Sequence, residues 1–195
     1  MKHPGPDRYH HGDARNALLA AAASMIEETG AQGLSLRQVA ERAGLSRQAP
    51  YNHFADKEAL LAELALAGFR DLESRIRRTR GYPADPAALE HAAAAYIGFA
   101  QRRPALFRLM FSSELVELAR FPEAQAAGAA CLASLEAIVA AWVDPDRVEA
   151  VSLAAWSLVH GYATLCIETR REGASLRGRR ARLFARIIRA GAGAA

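Results

Sequence analysis

With 195 residues the chain is long enough for one domain, or a small module joined to a larger one, and needs no disulfide staples to hold a core. Its 45 alanines stand against 18 valine, isoleucine and threonine residues combined, which excludes a strand-built fold and leaves an all-α one. A net charge of +4 does not by itself make the N-terminal part a nucleic-acid binder, because residues 1–57 carry seven Lys or Arg against six Asp or Glu, whereas 170–190 carry eight Arg against one Glu.

The polar opening MKHPGPDRYHHGD lacks the apolar run of a secretory signal, so a cytoplasmic protein is expected. His3, His10 and His11 have no carboxylate or thiol at ligand spacing, and neither a metal nor another cofactor is expected. Helical periodicity runs from about Asp13 to Glu28 with Leu18, Ala22 and Ile26 on one stripe, and Thr29-Gly30 ends it. SLRQVAERAG then opens with Ser35 as cap and Gln38 three positions on, a capping box, before Gly44 supplies the positive-φ stop. Leu45 is an apolar plug and Ser46 a fresh N-cap, so the spacing predicts a third helix from Ser46 to about Phe54. Pro50 lies inside it, at or just beyond the amides that have no intrahelical partner, where it costs one weak bond or none.

Asp56 caps a long fourth helix, which turns Leu61, Leu64, Leu72 and Ile76 to the core until RGYPADP interrupts it as the best internal linker. Further helices are expected at about 87–102, 104–118, 123–142, 146–170 and 176–190, some nine in all, with a frayed AGAGAA end. The stretch Ala150–Ile167 is uncharged and near membrane length, but its Ser, Thr, His and Gly suit a helix covered on both sides by other helices. Small residues at Ala154, Ala155, Gly161 and Ala163 invite close helix packing and a homodimer through the last two long helices.

Helix, glycine turn and short polar helix form the layout of a helix-turn-helix. Arg47, Gln48 and Asn52 have the reach and donor pattern to read base edges, Arg on guanine and Gln or Asn on adenine. Tyr51, His53 and Lys57 follow where phosphates would lie and would fix register without reading sequence. The alternative is a plain turn between two core helices, with Arg47 and Gln48 merely solvated.

The run LSLRQVAERAGLSRQAPYNHFADKEALL, Leu34–Leu61, resembles the DNA-binding domain of TetR-family transcriptional regulators. RRPALFRLMFSS, WSLVHGYATL and RYHHGDAR are similar to the WHG type of that family, named for Trp156, His160 and Gly161. The resemblance implies a DNA-binding domain over 1–56 and a helical effector-binding and dimerisation domain over 57–195. It adds Ser35 and Arg37 near phosphates, so that the expected DNA-contacting set is Ser35, Arg37, Ser46, Arg47, Gln48, Tyr51, Asn52, His53 and Lys57.

Trp156 and His160 share a helix face and read either as core, each with an internal partner, or as the lining of an effector pocket with Phe99, Phe107, Met110 and Phe111. Cys131 and Cys166 read as buried small hydrophobes unless they meet in space as a redox pair. The expected function is a ligand-responsive repressor that binds a near-palindromic DNA operator as a homodimer and answers to a small-molecule effector. A thiol- or ligand-sensing activator and a small helical enzyme are the alternatives, the enzyme disfavoured because GxSxG, P-loop, dinucleotide and HExxH signatures are absent.

Overall fold

The structure, a computed structural model, describes residues 7–79, 81–85, 87–169 and 174–193, with side chains from Asp13 onward except at 174–176. The side chains of His3, His10 and His11, and the chain end at Ala194 and Ala195, fall outside the described residues. Among those residues the chain forms eight α-helices and no strand: α1 (Asp7–Thr29), α2 (Leu36–Arg42), α3 (Lys57–Arg77), α4 (Ala88–Arg102), α5 (Pro104–Met110), α6 (Pro122–Val139), α7 (Val148–Thr169) and α8 (Ala174–Gly191). Single 3-10 turns lie at Ala49–Asn52, Leu118–Arg120 and Pro145–Arg147.

Ser35 starts α2 as expected, its hydroxyl accepting from the Gln38 amide at 3.3 Å. The reciprocal arm differs from a capping box, because the Gln38 side-chain oxygen accepts from the Ser35 hydroxyl at 2.7 Å rather than from a backbone amide. Gly44, at φ +69°, closes α2 with the paired bonds of a Schellman motif, Leu45 N to Ala40 O at 2.9 Å and Gly44 N to Glu41 O at 3.1 Å. Asp56 caps α3 through the Ala59 amide at 2.8 Å.

The N-terminal elements close over Leu18, Ala22, Ile26, Val39 and Phe54, all buried. α3 carries that core onward, from Leu60 and Leu61 at its start to Leu72 and Ile76 near its end, where it packs mainly on α6. α4 is the central helix: five successive residues from Tyr96 to Ala100 are buried, and five steps of 100° cover every face. Within the RGYPADP break, residues 81–85 form a tight turn between α3 and α4, two helices of the same bundle, with the Asp85 amide on the Gly81 carbonyl at 2.8 Å.

Three expectations need correction. The helix expected over Ser46–Phe54 is instead a 3-10 turn, and no side chain caps it; Ser46 contributes its carbonyl to the Ala49 amide at 3.0 Å. The helix expected over 104–118 ends at Met110, where the Phe111 and Ser112 amides turn to three-residue bonds on the Arg108 and Leu109 carbonyls at 3.3 and 3.4 Å, and further on the Glu117 amide meets the Glu58 carboxylate of α3 at 3.0 Å. α7 is covered on one side only. Ser152, Ala155, Val159, Ala163 and Cys166 face inward, whereas Leu153, Ala154, Gly161 and Leu165 are exposed. Among the described residues nothing beyond its own helix backbone and chain neighbours approaches within 4 Å of where a Gly161 Cβ would stand. Pro145–Thr169, the 3-10 turn together with α7, is long and apolar enough to cross a membrane, and only 28% of its apolar 18-residue segment is buried.

Candidate nucleic-acid interface and apolar cavity

Pro50 explains the shape of the recognition element. It has no amide to give, so the ladder around it tightens to three-residue steps: Ala49 N to Ser46 O, Tyr51 N to Gln48 O at 3.1 Å, and His53 N to Pro50 O at 3.0 Å. Pro50 and Phe54 turn inward and are buried, and the Arg15 guanidinium of α1 lies 5.6 Å from the Phe54 ring while pairing with Glu63 of α3 at 2.7 Å. With the inner side held in this way, Arg47, Gln48, Tyr51 and Asn52 form one exposed outer face, Tyr51 at 54%.

Arg37 is exposed on α2, beside this face in sequence, and Ser46 is exposed in the turn between. Ser35 is half-buried with its hydroxyl engaged at the cap, His53 is half-buried edge-on to Phe54, and Lys57 donates to the Gln32 carbonyl at 2.7 Å. Lys57 therefore ties α3 to the loop before α2. A bidentate pair between Arg42 and Glu28, both bonds 2.8 Å, fixes the far end of α2 to α1. The Arg42 guanidinium, with help from the Ser24 hydroxyl, holds the Glu28 carboxyl at about 2, well below the usual carboxylate range.

Behind these elements an apolar cavity of about 50 Å³ lies between α3, α4, α6 and α7. The 89/92/93/96 face of α4 supplies Leu89, Ala92, Ala93 and Tyr96, and Phe111 and Trp156 line it as well. Of the six expected pocket residues, Phe111 and Trp156 border this space. Phe99 sits one turn further along α4, buried in packing, and Met110 fills the gap over Gly68, where a Cβ would stand 2.6 Å from its sulfur. Phe107 and His160 border an open crevice of about 510 Å³ next to it, stacked on each other at 5.3 Å.

Tyr96, which the sequence reading did not single out, is the polar hub. Its oxygen lies 2.7 Å from His160 Nδ1 and accepts from Trp156 Nε1 at 3.2 Å, so one hydroxyl serves both. Burial raises the Tyr96 phenol above its ordinary range and lowers the His160 imidazole, so both stay neutral at pH 7. Burial also pushes the Cys131 thiol up to about 12, and it donates to the Phe69 carbonyl at 3.3 Å. Both cysteines are free thiols. Cys166 lies ten residues beyond Trp156 along α7, about 15 Å at helical rise, which separates it from the cavity that Cys131 borders.

Two carboxylates that the sequence reading also missed join the two regions. Glu27 of α1 accepts from the Ala105 and Leu106 amides at the start of α5, both at 3.1 Å. Glu58, in the first turn of α3, accepts from the Glu117 amide and pairs with Arg120. No spacing rule marks them, because their partners lie 59 to 79 residues away.

A glycine-stopped helix followed by an exposed polar turn, both bolted to an all-helical bundle, is the layout of a helix-turn-helix protein. Residues 18–64 match the family model of bacterial regulatory proteins of the tetR family, and residues 89–190 match that of the tetracyclin repressor-like C-terminal domain. The chain belongs to the tetR family. It is similar to the tetracycline repressor protein class A from transposon 1721 of Escherichia coli, 44% identical over 52 residues that make up 27% of this chain and 24% of that one. The HTH-type transcriptional repressor KstR2 of Mycobacterium tuberculosis is 42% identical over 57 residues, 29% of this chain and 28% of the relative. The chain thus spans about a quarter of the length of the curated relatives it matches. Among solved structures, a protein of unknown function from Rhodococcus sp. RHA1 is 33% identical, with 92% of this chain and 97% of that one covered at a TM-score of 0.76. The TetR-family regulator PfmR of Thermus thermophilus shares the fold at a TM-score of 0.66 and 23% identity, over 88% and 96% of the two chains.

Proposed function

We propose that the protein is a cytoplasmic, ligand-responsive repressor that binds a near-palindromic operator as a homodimer. The observation that carries this reading is the outward face of Arg47, Gln48, Tyr51 and Asn52 on a turn locked from beneath by Pro50 and Phe54. Arg47, Gln48 and Asn52 read base edges, and Arg37, Tyr51, His53 and Lys57 sit over the backbone with Ser35 and Ser46 at the flanks. The functional division falls at the start of α3, with 1–56 reading DNA and 57–195 holding effector and partner.

The second copy covers the outer face of α7 and α8, where Leu153, Leu165, Leu183 and Ile187 are 57%, 61%, 41% and 50% exposed. A Gly161 with open space above it suits the close approach of a symmetric helix. The effector enters the apolar cavity, and the Glu27 and Glu58 contacts carry its presence to α1 and α3, so that the two recognition turns no longer match the half-site spacing. Burial keeps the Cys131 thiol protonated at neutral pH, which argues against thiolate sensing as the trigger. Selection of bound fragments from a random duplex pool tests the reading: an inverted repeat with a constant spacing is expected, and a purified chain that retains no duplex at low salt would end it.

A further inference from the structure

Resting on the effector reading above, we infer that the cavity takes a small, uncharged, ring-sized apolar molecule with at most one hydroxyl group, admitted from the open crevice past Phe111.

The charge requirement follows from the walls. Every described side chain around the cavity is apolar or neutral, with Phe69, Leu72 and Trp156 typical, and among the described residues no Asp, Glu, Lys, Arg or His borders it. An ionised group would lose its hydration there and meet no counter-charge. The polar atoms present are few and partly engaged: the Cys131 thiol donates to the Phe69 carbonyl, and the Tyr96 oxygen is shared between Trp156 and His160. A phenolic hydroxyl offers one donor and two acceptor positions, so Tyr96 has one bond left. Whether that bond is a donor or an acceptor follows from the His160 tautomer, and a ligand hydroxyl complements either.

The size requirement and the entry route follow from volume. An engineered cavity of roughly 150 Å³ admits benzene; the space here is about 50 Å³. A single ring must therefore displace a side chain. Among the described residues Phe111 alone borders both the cavity and the crevice of about 510 Å³. It is half-buried at the end of α5, the first residue outside the helix, with its ring 5.5 Å from Phe69 and 4.7 Å from His160. Displacing Phe111 into the crevice gives up its ring contacts with Phe69 of α3 and with Trp156 and His160 of α7 and joins the two spaces without moving a helix.

Titration calorimetry of the full chain near neutral pH, with p-cresol, toluene, 4-methylbenzoate and benzylamine as probes, tests this. The neutral rings should bind more than about ten-fold tighter than either ion. Tyr96→Phe should weaken p-cresol about three- to ten-fold and leave toluene unchanged. Ala93→Leu, which fills the cavity from α4, should abolish binding of both neutral rings while thermal melts stay level or rise, and it serves even if Tyr96→Phe proves unstable. The inference is overturned if 4-methylbenzoate matches p-cresol, if no neutral ring binds at millimolar concentration, or if Ala93→Leu leaves p-cresol binding intact. A chain that recovers an inverted repeat from the duplex pool yet ignores the neutral rings refutes this inference alone; binding of the rings without any duplex refutes the repressor reading alone.

Discussion

Glu27→Ala isolates the link between the DNA-binding elements and the bundle. The carboxylate caps α5 from another helix, accepting two amides at 3.1 Å each, and α5 has seven residues, too few to persist without outside support. Losing a capping acceptor costs about 1 kcal/mol, and losing a negative charge at a helix start adds about 0.3–1 kcal/mol, so the expected loss is roughly 1–2 kcal/mol. With a urea slope of about 1–3 kcal/mol per molar, the unfolding midpoint should fall by roughly 0.3–2 M. Glu27→Gln keeps one of the two acceptor oxygens, turns the other into a donor facing an amide and removes the charge, so it should recover only part of the loss. Urea titrations of the full chain followed by far-ultraviolet circular dichroism measure both. If the alanine variant moves the midpoint by less than about 0.1 M, or glutamine and alanine behave alike, the cap is a surface contact and the proposed link fails.

Gln48→Ala should cost about 1–3 kcal/mol on the selected operator and little on random duplex, whereas Arg37→Ala should weaken both alike and lower the salt slope by about 1; equal losses would remove the base-reader assignment. Lys57→Ala should lower stability as well as DNA affinity, because the ammonium is bonded to the Gln32 carbonyl, and an unchanged melting temperature would contradict that bond. Leu165→Asp should give a monomer by light scattering at micromolar concentration, since the exposed α7 face would carry a charge into the interface; a dimer that persists moves the interface elsewhere. The Glu28 carboxyl is held below its ordinary 4.5 at about 2, so its stabilising pair with Arg42 is fully present above 4.5 and is lost as the pH falls towards 2. The stability gap between the wild type and Arg42→Ala should therefore close over that window, and a gap constant from neutral pH to 2 would show that the pair does not titrate with folding.

Features governed by neighbouring residues were legible in the chain itself. Ser35, Gly44 and Asp56 act within a few residues of themselves, so cap, stop and restart follow from residue type, and the all-α class follows from alanine and periodicity. The exposed face of the recognition turn was legible for the same reason. Its backbone form was not, because Pro50 removes one amide and leaves open whether the flanking bonds span three residues or four; burial of Pro50 and Phe54 against α1 accompanies the tighter choice.

The cavity belongs to the other kind of knowledge. Phe99 and Tyr96 are three positions apart on a helix buried all round, and nothing local tells which turn faces empty space; that follows from where α3, α6 and α7 cross α4. Trp156 and His160 could be paired by spacing, yet their common partner comes from a helix 60 and 64 residues earlier. Local chemistry thus determined the caps, the stops, the helical class and the polar probe. Packing over long sequence separations decided what caps the start of α5, which face of α7 is bare, and how the polar turn is tied to the bundle, because those contacts exist only once distant segments are held together.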